Sequence, residues 1–259
     1  MRFMRVVLLV GLTGGCGLAG ADNDLRDLEV SLAAATTIGQ SGALALSAME
    51  GSGSVQCASV VTQCTEYPCE GEVRIDYGAG CPLPLGGEAI GSTTVTGTWM
   101  SGEEAVLDFA FTDVRVGERS GVVVSATTID VSRVDGVTSV EFVGTQAVAR
   151  GAVAVAATSN WDVLIDDAGT PGDSSDDIFT IDGSSTAAGG VQARVVQVDE
   201  ARIEPGCRLN PVGGTASITE SGLSIRTDEI TFGAACDGTA ELEPTLGGAR
   251  TVSMDFLED

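Results

Sequence analysis

The sequence predicts an all-β protein: a large curled antiparallel meander sheet or half-open barrel with a short N-terminal helix. Apolar and polar residues alternate in segments such as 107–111 and 240–243, which is typical of strands with one buried face. The 35 glycines outnumber the 7 prolines, and short turn signals divide the strands. These signals lie at 100–103, 117–120, Asp135-Gly136, Asp182-Gly183, Gly189-Gly190, 220–222 and Gly247-Gly248. Because the turns are short, each strand is expected to pair with the next one.

Helical spacing is confined to the N-terminal part of the chain. Leu25, Leu28 and Leu32 recur at the spacing of one helix face, which predicts a helix over Asp24–Ala35. A second short helical piece is predicted over Ser41–Met49.

The first 15 residues have the organisation of a signal peptide. Arg2 and Arg5 form a basic region, and an apolar run over Val6–Leu12 precedes small residues. That run is too short for a membrane span, which needs about 20 residues. We therefore expect a signal peptide over 1–15, a tether over 16–23 and a single β-rich domain over 24–259.

The residues before Cys16 resemble the bacterial lipobox, although Leu12 lies one place upstream of its position there. The resemblance implies lipidation of Cys16, for instance with palmitate, and attachment to the membrane. Gly17 follows the cysteine in place of the aspartate that retains lipoproteins in the inner membrane. An outer-membrane or cell-surface location is therefore expected. The alternative is an ordinary signal peptide and a secreted or periplasmic protein.

The charge of the chain excludes several functions. Asp and Glu number 37 against 13 basic residues, all of them Arg, and the net charge is −24. Such a field repels phosphate backbones, so nucleic acid is not an expected partner. Histidine and lysine are absent, which removes the commonest general base and the amine of Schiff-base chemistry.

The cysteines other than Cys16 predict a disulfide framework. They are Cys57, Cys64, Cys69, Cys81, Cys207 and Cys236. Zinc is disfavoured because the chain has neither a C-x-x-C pair nor a histidine. Six buried free thiols are the other alternative, but export favours oxidation. The four local cysteines are expected to pair among themselves, as Cys69 with Cys81 and Cys57 with Cys64.

Several motifs between residues 70 and 240 are similar to a family of uncharacterised β-rich, secreted bacterial lipoproteins. They are Ile75-Asp76-Tyr77-Gly78 with Cys81, Gly97 with Trp99, the strand 105–114, Trp161, Asp176-Asp177 before 178–183, Cys207 with 210–215, Phe232-Gly233 and Cys236-Asp237-Gly238. The resemblance implies an envelope location, a β-rich architecture and pairing of Cys207 with Cys236. It implies no mechanism.

An acidic loop is the candidate metal site. Asp162, Asp166, Asp167, Asp173, Asp176 and Asp177 surround the Gly-rich segment 169–175. Carboxylate oxygens on such a loop suit Ca²⁺, although the EF-hand spacing is not met. The alternative is a solvated hairpin tip without metal. No other cofactor is expected.

Two functions remain open. The first is a non-catalytic envelope lipoprotein, a binding or structural module for a lipid, glycan or protein, with Trp99 and Trp161 either packed in the core or stacked on sugar rings. The second is an extracellular hydrolase with glycosidase-like carboxylate chemistry. No catalytic residue stands out among the 37 acids.

Overall fold

A computed structural model describes residues 19–48, 58–63, 65–82, 88–116, 120–150, 153–170, 175–189, 192–207, 210–222 and 224–254. It confirms the all-β class: one helix accompanies a single unclosed sheet of 13 strands among these residues. Each strand pairs in antiparallel fashion with the next strand in sequence, so the sheet is a continuous meander.

The helix is α1 (Ala19–Ser47). The strands are β1 (Ser59–Thr62), β2 (Cys69–Pro82), β3 (Glu88–Trp99), β4 (Glu104–Val116), β5 (Ser120–Val134), β6 (Val137–Arg150), β7 (Val153–Asp166), β8 (Ile178–Gly189), β9 (Gln192–Ile203), β10 (Gly213–Ser221), β11 (Arg226–Phe232), β12 (Thr239–Pro244) and β13 (Arg250–Ser253).

The alternating pattern separates the two faces of the sheet. On β7, Trp161, Val163 and Ile165 are buried, whereas Asp162 and Leu164 between them are exposed. The described parts of β4 and β12 show the same alternation. On these strands the inner face therefore carries the core, and the exposed residues lie on the outer face.

Helix α1 is continuous, so the prediction of two separate pieces over 24–35 and 41–49 is wrong. It has 29 residues and includes 36–42, which read Thr-Thr-Ile-Gly-Gln-Ser-Gly and have low helix propensity. These residues are all buried, and the hydroxyls of Thr36 and Thr37 donate to the carbonyls of Leu32 (2.9 Å) and Ala33 (2.7 Å). Burial against the sheet outweighs the intrinsic preference.

The sheet curls around α1. Every residue from 31 to 42 is buried, so this stretch has no solvent-facing side. The helix contacts the nine consecutive strands β2 to β10, and its burial on every side requires these strands to wrap around it. The concave face of the sheet is consequently a packed core with α1 along it.

Two glycines let the helix approach the sheet closely. A Cβ atom on Gly39 would lie 2.7 Å from Cγ1 of Val163, and one on Gly42 would lie 3.0 Å from Cγ1 of Val140. Real Cβ atoms almost never make a contact as short as the one at Gly39, and the one at Gly42 is tighter than most, so the helix backbone lies where glycine fits best.

Polar contacts fix the C-terminal end of α1. The indole N–H of Trp99 donates to the carbonyl of Ala45 (3.0 Å), one of the last four helix carbonyls, which lack a partner within the helix. Arg133 donates to the hydroxyl of Ser47 (2.8 Å) and places a positive charge at the negative end of the helix dipole. Tyr77 and Ser41 share a buried hydrogen bond (3.0 Å), and burial raises the pKa of Tyr77.

One predicted turn is wrong. Asp135-Gly136 does form the β5–β6 turn, with φ of 51° and 84°, whereas Asp182-Gly183 lies inside β8. A bulge occurs between Ile181 and Gly183 there, and Gly183 has φ of 133°. Close packing, and not a turn, requires glycine at position 183, because a Cβ there would lie 2.1 Å from the carbonyl oxygen of Asn160.

No helix among the described residues is both long enough and apolar enough to cross a membrane.

Gly39→Ala is expected to lower the free energy of unfolding by about 1 to 3 kcal/mol, because the added methyl group overlaps the stiff side chain of Val163. The gain in helix propensity, about 0.5 to 1 kcal/mol, offsets only part of this cost. Urea titration followed by circular dichroism measures the change. Gly248→Ala is the matched control, since a Cβ at Gly248 meets nothing within 4 Å. Equal stability of Gly39→Ala and wild type would contradict the close approach of helix and sheet.

Candidate functional site

The outer face of the sheet carries a row of carboxylates across four neighbouring strands. Asp130 on β5 lies opposite Glu141 on β6, which lies opposite Asp162 on β7, which lies opposite Asp182 on β8. The first three are exposed, and Asp182 is half-buried. We call these four residues the acidic row.

The acidic row brings like charges close together. Residues directly opposite each other in antiparallel strands have Cβ atoms about 4.5 to 5.5 Å apart. Partial burial raises the pKa of Asp162, and the carboxylate of Asp182 raises it further, while a hydrogen bond from Ser139 (3.5 Å) acts in the opposite direction. Oδ1 of Asp182 accepts a hydrogen bond from the backbone N–H of Glu200 (2.8 Å), which fixes its position. The row is therefore a fixed line of negative charge that attracts cationic groups.

The acidic loop between β7 and β8 uses its carboxylates for turn formation. Oδ1 of Asp166 accepts from the N–H of Ala168 (3.0 Å), and Oδ1 of Asp167 accepts from the N–H of Gly169 (2.9 Å). Asp176 accepts from the hydroxyl of Thr170 (2.6 Å).

These bonds bear on the calcium hypothesis. Over the described ranges, no three or more metal-binding side chains come together. Asp177 is half-buried before β8, and Asp173 lies outside those ranges. Calcium binding by this loop stays a prediction.

A second charged group lies on the inner face, beside the N-terminal half of α1. Arg194 on β9, Glu220 on β10 and Arg226 on β11 lie opposite one another in that order. Asp27 of α1 forms an ion pair with Arg194, and Asp228 forms one with Arg226 (3.1 Å). Glu220 lies between the two arginines in the strand register, and we call these five residues, whose charges alternate, the ion-pair network.

The ion-pair network attaches α1 to the sheet at the end opposite to Trp99. Burial raises the pKa of Asp27, although Arg194 opposes the shift, and Glu220 adds to it. Asp228 is only 2% exposed, and its second oxygen accepts from the backbone N–H of Thr245 (3.2 Å). These carboxylates have cationic or N–H partners within the protein, which suits a structural role.

Both tryptophans belong to the core. Trp99 is 0% and Trp161 is 1% exposed, so the packing interpretation is confirmed and the sugar-stacking alternative is wrong. Trp161 lies against Gly183, where a Cβ would be 2.9 Å from its Cε3.

The disulfide predictions have mixed outcomes. Cys207 and Cys236 are bonded, with Cα atoms 4.9 Å apart, which confirms the pairing that the family resemblance implied. The bridge joins the β9–β10 loop to the β11–β12 loop. The predicted pairing of Cys69 with Cys81 is wrong, because they lie near opposite ends of β2, roughly 40 Å apart at about 3.3 Å per residue. Both are nevertheless disulfide-bonded.

Cys16, Cys57 and Cys64 lie outside the described residues, as do the predicted signal peptide and residues 16–18 of the predicted tether. Residues 19–23, predicted as tether, belong to α1.

Neither the acidic row nor the ion-pair network was predicted. In both groups, residues that lie opposite each other on neighbouring strands are 6 to 26 residues apart in sequence, and Asp27 of the ion-pair network comes from the distant helix α1. The alternation of each strand determines the face on which a charged side chain lies, but only the register between strands places these side chains opposite one another.

No protein-family model matches the chain, and neither a curated protein nor a solved structure matches it significantly.

Asp162→Asn is expected to stabilise the protein at pH 7 by about 0.2 to 1 kcal/mol, since it removes a like charge opposite Asp182. The folded-state pKa of Asp162 is raised, so the folded protein favours the protonated form. Ionisation of Asp162 therefore destabilises the folded protein at pH values above its folded-state pKa. This destabilisation fades as the pH falls towards the ordinary aspartate pKa of about 3.9. Thermal unfolding of both proteins between pH 3 and 8 tests this.

Asp237→Asn is the control with the opposite sign. Hydrogen bonds from the hydroxyl (2.8 Å) and backbone N–H (3.0 Å) of Thr239 lower the pKa of Asp237. This variant is expected to be less stable than wild type at pH 7. The difference should decrease as the pH falls below the ordinary aspartate pKa, and it should vanish below the lowered pKa of the folded state. Stability changes of the same sign in Asp162→Asn and Asp237→Asn would contradict the opposite pKa shifts of the two carboxyl groups.

Proposed function

We propose that this chain is a non-catalytic, lipid-anchored envelope protein that acts as a binding or structural module. The observation that carries the proposal is the occupation of the concave face by α1, whose residues 31–42 are buried throughout. A half-open sheet that carries an apolar ligand needs that face for the ligand. In this protein, α1 occupies the concave face instead of a ligand.

The outer surface is consequently the part available to a partner. It carries the acidic row, beside exposed apolar side chains such as Val143 and Leu164, and the net charge of the chain is −24. Of the three ligand classes considered, a lipid suits this surface least, because apolar ligands require an apolar groove. A glycan or a protein with a cationic face suits it best.

The anchor is supported by the position of α1 relative to Cys16. The helix begins at Ala19, three residues after Cys16, and three residues span at most about 11 Å. An acylated Cys16 would hold the folded domain next to the membrane, and repulsion from anionic head groups would turn its acidic surface outwards.

Cys16→Ser is expected to abolish incorporation of an alkyne-labelled palmitate and to move the protein from the membrane fraction to the soluble fraction. The reason is that acylation requires the thiol of Cys16. In-gel fluorescence after metabolic labelling, together with cell fractionation, measures both effects. A Cys207→Ser/Cys236→Ser variant is the control and should keep the label. Unlabelled, soluble wild-type protein would contradict the anchor.

One observation favours hydrolysis as a second candidate function. Asp162 and Asp182 face each other, and partial burial and the neighbouring Asp182 raise the pKa of Asp162, which favours its protonated form beside a second carboxyl group. Glycosidases use two carboxyl groups about 5 to 9.5 Å apart in this way. Both side chains, however, lie on the outer face of the sheet.

A direct assay separates the two functions. The wild-type protein is expected to release no more reducing sugar from a panel of polysaccharides between pH 4 and 7 than the Asp162→Asn/Asp182→Asn double variant. Turnover by wild type that the double variant loses, and that Glu243→Gln retains, would establish the hydrolase and overturn the non-catalytic proposal. Glu243 is an exposed residue on the outer face of β12, away from the acidic row.

A further inference from the structure

Cys69 and Cys81 mark the two ends of β2, and neither can be the partner of the other. Both are disulfide-bonded. They are separated by 12 residues of a strand, while the Cα atoms of a disulfide lie no more than about 7 Å apart. Cys207 and Cys236 are bonded to each other. The remaining cysteines of the sequence are Cys16, Cys57 and Cys64.

The short strand β1 runs antiparallel along β2 and has a fixed register. Ser59 lies opposite Asp76, and Thr62 lies opposite Val73. The pairing extends beyond β1, because the N–H of Gln63 donates to the carbonyl of Glu72 (3.2 Å). The chain therefore enters β1 at the Cys81 end of β2 and leaves it at the Cys69 end.

The sequence places one cysteine on each side of β1. Cys57 precedes the described residue Ala58, and Cys64 follows the described residue Gln63. We propose that two bridges, Cys57–Cys81 and Cys64–Cys69, join β1 to β2 at both ends.

Distance along β2 excludes the crossed arrangement. Ala58 continues the register opposite Tyr77, which is four residues from Cys81 but eight from Cys69. At about 3.3 Å per residue, eight residues span roughly 26 Å, beyond the reach of one residue and a disulfide. Between Asp76 and Cys81 the pairing of β2 with β3 is irregular, and Gly78 (62°) and Gly80 (157°) have positive φ angles, so this end of β2 is not a regular extended strand.

The same reasoning applies at the other end. Gln63 pairs with Glu72, and Glu72 lies three residues along β2 from Cys69 but nine from Cys81. Only four residues, 65–68, separate Cys64 from Cys69 in sequence, a spacing at which the chain can turn back and bring the two sulfurs within bonding distance.

Each bridge forms by thiol–disulfide exchange. One cysteine thiolate first attacks a disulfide-bonded oxidant of the envelope and forms a mixed disulfide with it. The second thiolate then attacks the protein sulfur of this mixed disulfide, which forms the bridge and releases the oxidant. The oxidant leaves as a dithiol that has gained the two electrons and two protons. The result holds a four-residue edge strand on the sheet, and a covered edge is protected against pairing with other chains.

Peptide mapping of the non-reduced wild-type protein tests the connectivity. Cleavage at Arg74 and after glutamates releases three peptides, which are residues 51–66 with Cys57 and Cys64, 67–70 with Cys69, and 75–88 with Cys81. We expect the three to remain joined, and elastase cleavage at Val60-Val61 to divide them into a Cys57–Cys81 pair and a Cys64–Cys69 pair. A Cys57–Cys64 loop, the crossed pairs, or any link to Cys16 would overturn the proposal.

Thiol counting in double variants provides a second measurement. Cys57→Ser/Cys81→Ser and Cys64→Ser/Cys69→Ser each remove one complete bridge and should show no more alkylation without reductant than wild type by intact mass. Cys57→Ser/Cys64→Ser should gain two labels, because the two thiols left on β2 cannot meet. No gain in this last variant would overturn the proposal.

Discussion

The burial of α1 in the concave face of the sheet is the interaction on which the rest of the structure depends. The helix contacts nine consecutive strands, and the largest buried side chains, among them Trp99, Trp161 and Phe142, belong to the core that it shares with them. The close approach at Gly39 and Gly42 increases the apolar contact between the two layers. A sheet of this size without the helix would expose one apolar face along most of its length, which soluble proteins avoid.

The meander topology makes the sheet itself a product of local pairing. Every strand pairs with its neighbour in sequence, so the sheet requires no long crossover connection. Its two terminal strands, β1 and β13, are only four residues long. Short edge strands offer few unpaired backbone groups to other chains, which limits edge-to-edge association. Local pairing thus assembles the sheet, and α1 provides the core around which the sheet curls.

The two charged groups have different consequences because the sheet gives them different surroundings. On the inner face, Arg194 and Arg226 alternate with carboxylates, and the ion-pair network attaches α1 to β9. On the outer face, the acidic row has four carboxylates in register with no basic residue among them. Its mutual repulsion is tolerated at the surface, where water screens it, and its field is available to a partner. The proposed binding role rests on this division between an inner face occupied by the helix and an outer face that remains open.

The sequence predicted the all-β class, the pairing of each strand with the next and turns such as Asp135-Gly136 and Gly247-Gly248, because alternation with a period of two and glycine-rich turns are local properties of the chain. It also predicted the helix start within five residues, through Leu25, Leu28 and Leu32. Tertiary structure decided the rest. The helix continues through Gly39 and Gly42 only because the sheet buries it, and Gly183 lies inside a strand because the backbone of β7 approaches it there. The separation of Cys69 from Cys81, the acidic row and the ion-pair network all follow from strand length and register. Register depends on contacts between segments distant in sequence, which no local pattern in the chain records.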